Sequence, residues 1–164
     1  MKLASSTHRL KARLAAGLAL SALLALAPGV NAGLGDHINT QQSSSAGMLK
    51  QSQPSYQVFE SVDSTDHVTL DQYASSTGTV FAVAWRGAGM PDLRAVFGAY
   101  FAQFSALRQH APAARHLLSI EDPSLMVDIH GPNSDIIGRA WVPALVPAGV
   151  DVNTVVQPPS ATDQ

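Results

Sequence analysis

The chain has 164 residues, a formal net charge of −2 at pH 7 and no cysteine. The lack of cysteine excludes disulfide bonds, thiolate catalysis, thiolate metal sites and the lipidated cysteine of a lipoprotein. The length suits a single domain with one hydrophobic core, which has to be stable by packing alone.

The first 32 residues have the order of a cleavable secretory signal peptide. The segment opens with basic residues and no acid: Lys2, Arg9, Lys11 and Arg13. The uncharged apolar stretch Leu14–Ala27 follows, and its 14 residues are fewer than the roughly 20 that a membrane-spanning helix needs. Small residues at 30–32 predict cleavage after Ala32. We therefore expect an exported protein, periplasmic or secreted, with no membrane anchor after cleavage.

Cleavage changes the charge of the protein. The mature chain would keep six Lys and Arg against all twelve Asp and Glu, which gives a formal charge of −6. An acidic surface disfavours nucleic acid and anionic lipid as partners.

Polar segments flank the predicted domain on both sides. Residues 33–55 are rich in Ser, Gln and Gly and have no apolar period, which predicts a flexible lead-in. Residues 157–164 predict a disordered tail for the same reason. The single folded domain is therefore expected over residues 56–156.

Three strands open that domain in the prediction, separated by turn-forming residues: Tyr56–Val62, His67–Ala74 and Thr79–Arg86. The third is apolar on both faces and is expected to be the most buried strand. Three more strands are predicted near the end of the chain: Arg115–Glu121, Leu125–His130 and Ile136–Val142. Asp151 is expected to cap a last helical turn.

An amphipathic helix is predicted between the two sets of strands, starting at Pro91 and ending before Pro112. Its apolar stripe carries four aromatic side chains and predicts packing on a sheet. The opposite face carries small side chains, which are candidates for self-association: Ala95, Ala99, Ala102 and Ala106. Either a second surface approaches this face near Gly98, or the chain simply overuses the best helix former. The order of three strands, one helix and three strands predicts an α+β fold with an antiparallel sheet.

Two pairs of tryptophan and arginine are the candidates for binding a ligand or partner: Trp85 with Arg86, and Arg139 with Trp141. A guanidinium offers a planar fork to a carboxylate, and an indole offers a face for stacking. The alternative is that both tryptophans fill the core while each arginine covers it with its stem.

Catalytic motifs are sparse in this sequence. There is no Gly-x-Ser-x-Gly elbow, no phosphate-binding glycine loop before a helix, and no histidine pair at helical spacing around a glutamate. His67 and His130 have acidic neighbours in the sequence, namely Asp66, Asp71 and Asp128. A general base or metal site would need those strands to pair. We predict no catalytic residue, no metal and no cofactor.

Several motifs together resemble a known bacterial family. They are residues 79–87 (TVFAVAWRG), 91–94 (PDLR), 98–101 (GAYF), 138–143 (GRAWVP) and 147–150 (PAGV). The family is that of proteins of unknown function numbered 2844. The resemblance implies a small exported proteobacterial protein whose mature chain starts near a Leu-Gly segment, and it carries no assigned activity.

The leading functional hypothesis is a non-catalytic module that binds or assembles with an envelope protein or small ligand. The alternative is a small envelope hydrolase that uses His67 or His130 with nearby acids. A third hypothesis is a surface-assembly protein that uses the Ser/Gln-rich arm. A homodimer through the alanine face is a further prediction.

Overall fold

The computed structural model describes residues 32–38, 47–63, 67–111, 117–132 and 134–160. Its centre is one antiparallel sheet of seven strands: β1 (Met48–Ser52), β2 (Tyr56–Asp63), β3 (Val68–Ser75), β4 (Val80–Gly87), β5 (Leu117–Asp122), β6 (Leu125–His130) and β7 (Ile136–Trp141). The strands lie in the order β1-β2-β3-β4-β7-β6-β5. The two strand meanders therefore join in the middle of the sheet, where β4 pairs with β7.

The helical elements connect and follow these strands. Between β4 and β5 lie α1 (Leu93–Phe97), a 3₁₀ turn (Gly98–Tyr100) and α2 (Phe101–Arg108). After β7 come a second 3₁₀ turn (Pro143–Leu145) and α3 (Val152–Val155). No helix in the described part of the chain is long and apolar enough to cross a membrane.

The α+β class and the antiparallel sheet are confirmed, but the predicted order of three strands, helix and three strands is wrong. Four strands precede the helix, because β1 lies inside the predicted flexible lead-in. All five residues of β1 are exposed, and the strand pairs only with β2 at the edge of the sheet. Such a strand has no buried face, so no alternation of apolar residues marks it in the sequence.

The start of the same lead-in also belongs to the fold. Leu34 is 0% exposed and Ile38 is 2% exposed. Leu34 N donates to Val96 O at 3.0 Å, and Gly35 N donates to Val80 O at 2.9 Å. The segment 32–38 is thus held between α1 and β4, and a flexible lead-in is wrong for the parts that the structure describes. The predicted signal peptide lies outside the described residues, apart from Ala32.

The predicted helix is interrupted where its glycine occurs. α1 begins after Asp92, whose carboxylate accepts hydrogen bonds from Arg94 N at 2.9 Å and Ala95 N at 3.4 Å. It ends at Gly98, whose φ of 45° and ψ of −123° suit glycine and few other residues. A Cβ at Gly98 would also lie 3.0 Å from Gly33 Cα. The second surface near Gly98 is therefore the protein's own chain. The four alanines of the proposed self-association face remain exposed.

The two faces of the sheet carry different cores. The helix side buries Trp85, Phe97 and Phe104, and the two phenylalanine rings stack with centroids 3.9 Å apart. The other face buries Phe81 and Ala82 beneath the C-terminal segment, which contributes Val156. All residues from 80 to 85 are 0% exposed, which confirms that this strand is the most buried.

The C-terminal segment is fixed as far as the structure describes it. Tyr73 Oη donates to Gln157 O at 3.0 Å and accepts from Gln157 N at 3.3 Å. Pro159 is buried as well. The predicted disordered tail is therefore wrong for residues 157–160, whereas 161–164 lie outside the described residues, as do Arg115 and His116 of the predicted fourth strand.

Tyr73→Phe tests this anchor through its dependence on pH. Burial, followed by the nearby Asp71 charge, raises the pKa of Tyr73 above its usual value of 10. A raised pKa in the folded state means that the contribution of neutral Tyr73 is fully present below pH 10 and is lost at higher pH. We expect the variant to be less stable than wild type by about 0.5–1.5 kcal/mol at neutral pH. This gap should narrow above pH 10 in urea unfolding, and a gap that stays constant would contradict the assignment.

Candidate functional site

A row of polar residues crosses the sheet on the face opposite the helix. Residues paired directly across neighbouring strands share a face. The register places four charged residues in one row with an alanine in the middle: Glu60, Asp71, Ala84, Arg139 and Asp128. We call these five the polar row. The C-terminal segment covers the neighbouring apolar part of the same face. The polar row therefore lies beside a covered surface.

An open cleft of about 440 Å³ lies at the β6 end of the polar row. The residues that line it come from β4, β6, β7 and the C-terminal segment: Arg86, Asp128, His130, Ile137, Arg139 and Gln157–Ser160. We call this space the open cleft. Three strands provide its floor, and the anchored segment 157–160 provides a wall.

Arg139 is the central side chain of the open cleft. Its Nε lies 3.6 Å from Asp128 Oδ2, which is an ion pair longer than a normal hydrogen bond. Its Cζ lies 5.3 Å from the centroid of the Trp141 ring, within the range of a cation–π interaction. The side chain is 25% exposed. A guanidinium is thus oriented by a carboxylate and an indole while part of it remains open to solvent.

Arg86 is held differently, because its guanidinium already binds the carboxylate of Asp135. Arg86 Nε donates to Asp135 Oδ1 at 2.8 Å, and Nη2 donates to Asp135 Oδ2 at 2.7 Å. These hydrogen bonds lower the pKa of Asp135 and raise the pKa of Arg86. The pair ties β4 to the residue just before β7. Arg86 therefore shapes one side of the open cleft, and Arg139 has the weaker attachment of the two.

Trp85 does not take part in this site. Adjacent residues of a strand point to opposite faces, so Trp85 lies in the helix-side core at 0% exposure while Arg86 faces the open cleft. A Cβ on Gly138 would lie 2.1 Å from the Trp85 ring, so the indole packs directly against that glycine. The structure brings Arg86, Arg139 and Trp141 to one face and leaves Trp85 as a core residue. The spacing of two between Arg139 and Trp141 is the sequence signal for a shared face.

The predicted histidine sites are not brought together. His130 Nδ1 lies 3.9 Å from Asp128 Oδ1, beyond hydrogen-bond distance. His67 is exposed just before β3, and β4 and β7 lie between β3 and β6. Three interstrand spacings of about 4.8 Å therefore separate those strands. Asp66 and His116 lie outside the described residues. Among the residues that are described, no three His, Asp or Glu side chains are grouped to hold a metal ion.

An ion-pair cluster at the other end of the polar row has no counterpart among the predicted sites. Lys50 Nζ on β1 lies 2.5 Å from Glu60 Oε2 and 3.2 Å from Asp71 Oδ2. Burial disfavours the charge on Lys50, but the hydrogen bonds and attraction of Glu60 and Asp71 outweigh it and raise its pKa. Asp71 is 3% exposed. The cluster was missed because Lys50 lies in the segment predicted to be flexible.

Comparison with known proteins gives one match. A family model described as "Protein of unknown function (DUF2844)" matches residues 30–155. The match includes the polar row, the strand residues of the open cleft and the segment 32–38, and it ends before the cleft wall formed by Gln157–Ser160. No curated protein and no solved structure matches the chain.

Proposed function

The chain belongs to the DUF2844 family of proteins of unknown function, and we propose that it is an exported cell-envelope protein that binds a carboxylate-bearing ligand in the open cleft. The geometry of Arg139 carries this proposal. Its guanidinium is oriented by Asp128 and Trp141 and is partly open to solvent. Export is supported by the order of basic, apolar and small residues in the first 32 positions.

A carboxylate is the chemical group that best fits Arg139. A guanidinium binds a carboxylate through two parallel charge-assisted hydrogen bonds, which are stronger than those between neutral groups. The ion pair to Asp128 is long at 3.6 Å, so an incoming carboxylate competes with a weak internal contact. In contrast, a ligand at Arg86 would have to displace two bonds shorter than 3 Å.

The surroundings of Arg139 restrict the ligand further. Trp141 offers an indole face beside the guanidinium, which suits an aromatic or other flat group next to the carboxylate. Asp128 adds a negative charge to the same cleft, which disfavours ligands with several negative charges. We therefore infer a ligand with a single carboxylate attached to an apolar or aromatic part.

Benzoate and benzamide form a matched pair of probes for this proposal. They share an aromatic ring, and only benzoate carries the carboxylate. We expect benzoate to bind the wild-type chain in the millimolar range and benzamide to bind at least about tenfold more weakly. Amide signals in a nuclear magnetic resonance titration measure both dissociation constants.

Arg139→Gln removes the guanidinium and keeps a polar side chain of similar length. We expect it to weaken benzoate binding about tenfold or more. Arg94→Gln is the matched control, because Arg94 also stacks on an aromatic ring, with its Cζ 4.5 Å from the Phe101 centroid, but belongs to α1. Equal binding of benzoate to all three proteins would contradict the proposal.

A small envelope hydrolase is the second candidate, and its support is the location of His130 and Asp128 in the open cleft. The 3.9 Å separation leaves the imidazole without an orienting hydrogen bond in this structure. The binding module has the stronger support, because the Arg139 guanidinium lies over the Trp141 ring and remains partly open to solvent.

A further inference from the structure

We infer that the chain is cleaved between Ala32 and Gly33 and that the new amino terminus at Gly33 stays inside the fold, held by Asp36 and Gln72. This inference rests on the export proposed above. It says where the new amino terminus, formed when the leader is removed, lies in the folded protein. We call the surroundings of Gly33 the terminus socket, defined by Asp36, Gln72, Ala95 and Gly98.

The residues around the predicted cut are already part of the fold. Ala32 is 8% exposed and Leu34 is 0% exposed. Gly33 N donates to Asp36 Oδ2 at 2.9 Å, and Asp36 N donates back to Gly33 O at 3.0 Å. Together with the bond from Leu34 N to Val96 O, these contacts hold Gly33 by atoms that remain after cleavage.

The terminus socket accepts only glycine at position 33. A Cβ there would lie 2.2 Å from Ala95 O and 2.5 Å from Gly98 N. Both are backbone atoms at the end of α1, so they cannot move aside as the tip of a flexible side chain could. The interruption of the helix at Gly98 has the same origin, since a Cβ at Gly98 would lie 2.6 Å from Asp36 Oδ2.

Gln72 provides the independent evidence that a donor belongs in the socket. Its side chain is 1% exposed, and its Nε2 donates to Ala32 O at 2.6 Å. Its Oε1 is buried and accepts no hydrogen bond from any described residue. A buried amide oxygen without a donor is unfavourable. The uncleaved chain therefore leaves an acceptor unsatisfied beside the bond that we expect to be cut.

Cleavage replaces an acceptor beside Gln72, Ala32 O, by a donor. A peptidase hydrolyses the bond between the Ala32 carbonyl carbon and Gly33 N, so the hydroxyl of water goes to the carbon and its proton to the nitrogen. The new carboxylic acid of Ala32 then releases its proton, and the amine takes up a second one. Gly33 N changes from a neutral N–H into an ammonium with three donors. One keeps the hydrogen bond to Asp36, which becomes charge-assisted. We infer that another is donated to Gln72 Oε1, because Ala32 O has left with the leader and a half-turn of the amide exchanges the positions of Oε1 and Nε2.

Amine labelling of the exported protein tests the inference. The full chain is produced with its own leader in a bacterial host, and the intact mass of the exported form gives its first residue. A chain that starts at Gly33 contains only two amines, the α-amine and Lys50. At neutral pH an acylating reagent ordinarily prefers the α-amine, because its pKa is about 7.7–8.0 against about 10.4 for lysine.

We expect the native fold to weaken that preference, because the α-amine is held in the terminus socket. Gly33 should be labelled at least about tenfold more slowly in the native protein than in urea. Asp36→Asn and Gly33→Ala should both speed native labelling of the α-amine. Glu121→Gln, which removes an exposed acid from β5, should leave the rate of α-amine labelling unchanged.

The possible failures are distinguishable. A retained leader would contradict both the export proposal and the socket, whereas a cut at another bond would contradict the socket alone. A first residue of Gly33 that is labelled equally fast in native and unfolded protein would contradict the socket alone.

Discussion

Replacing Trp85 by alanine is expected to lower the free energy of unfolding by about 3–5 kcal/mol, the range for truncating a large buried aromatic side chain. Trp85 is 0% exposed and packs against Gly138 in the helix-side core. Trp141→Ala is the matched variant, because the chain has only two tryptophans and both lie in the central strands β4 and β7. Trp141 is half-buried beside the open cleft, so its removal should cost about 1–2 kcal/mol.

Equilibrium unfolding in urea measures the loss in free energy of unfolding for both variants. Trp85 is a core residue and Trp141 is a half-buried residue beneath Arg139, so the two losses of stability should differ clearly. Benzoate binding should follow the opposite order, with Trp141→Ala weakening it and Trp85→Ala leaving it nearly unchanged in any folded fraction. Equal losses of stability would contradict the assignment of Trp85 to the core and of Trp141 to a half-buried position.

Replacing Leu34 by alanine is expected to lower the free energy of unfolding by about 2–5 kcal/mol. Leu34 is fully buried, and the residues beside it are hydrogen-bonded to α1 and β4. Leu49→Ala is the matched control from the same predicted lead-in, since Leu49 is 51% exposed on the edge strand β1. It should change stability by no more than about 0.5 kcal/mol.

The Leu34 and Leu49 variants separate two descriptions of the same segment. A flexible lead-in predicts that both changes are nearly neutral. The structure predicts that only Leu34 matters, because it fills space between the helix and the sheet. A neutral Leu34→Ala variant in urea unfolding would contradict the docking of residues 32–38.

Elements with a regular spacing of apolar residues could be predicted from the sequence. The strands β2, β3, β4, β6 and β7 lie where alternation or continuous apolar runs placed them, within a residue or two at their ends. The helix was predicted because its aromatic stripe has the right spacing. Its break was not predicted, because Gly98 is turned by contact with Gly33, some 65 residues away in sequence.

The elements that the sequence did not predict share a physical cause. β1 has no buried face, and the segment 32–38 is too short for a period, so only tertiary contacts fix either of them. Lys50 was therefore overlooked as the partner of Asp71. The contact between Arg139 and Asp128 also depends on which strands are neighbours in the sheet. β7 lies between β6 and β4, and the sequence does not show this order.

The two indole N–H signals of the wild-type protein test the central claim most directly. They can be assigned with the Trp85 and Trp141 variants and followed in a nuclear magnetic resonance titration with benzoate, with benzamide as the control. A carboxylate bound at Arg139 should shift the Trp141 signal in a saturable way and leave the Trp85 signal in place. A titration in which benzoate shifts neither signal, or in which benzamide has the same effect, would contradict a carboxylate site in the open cleft.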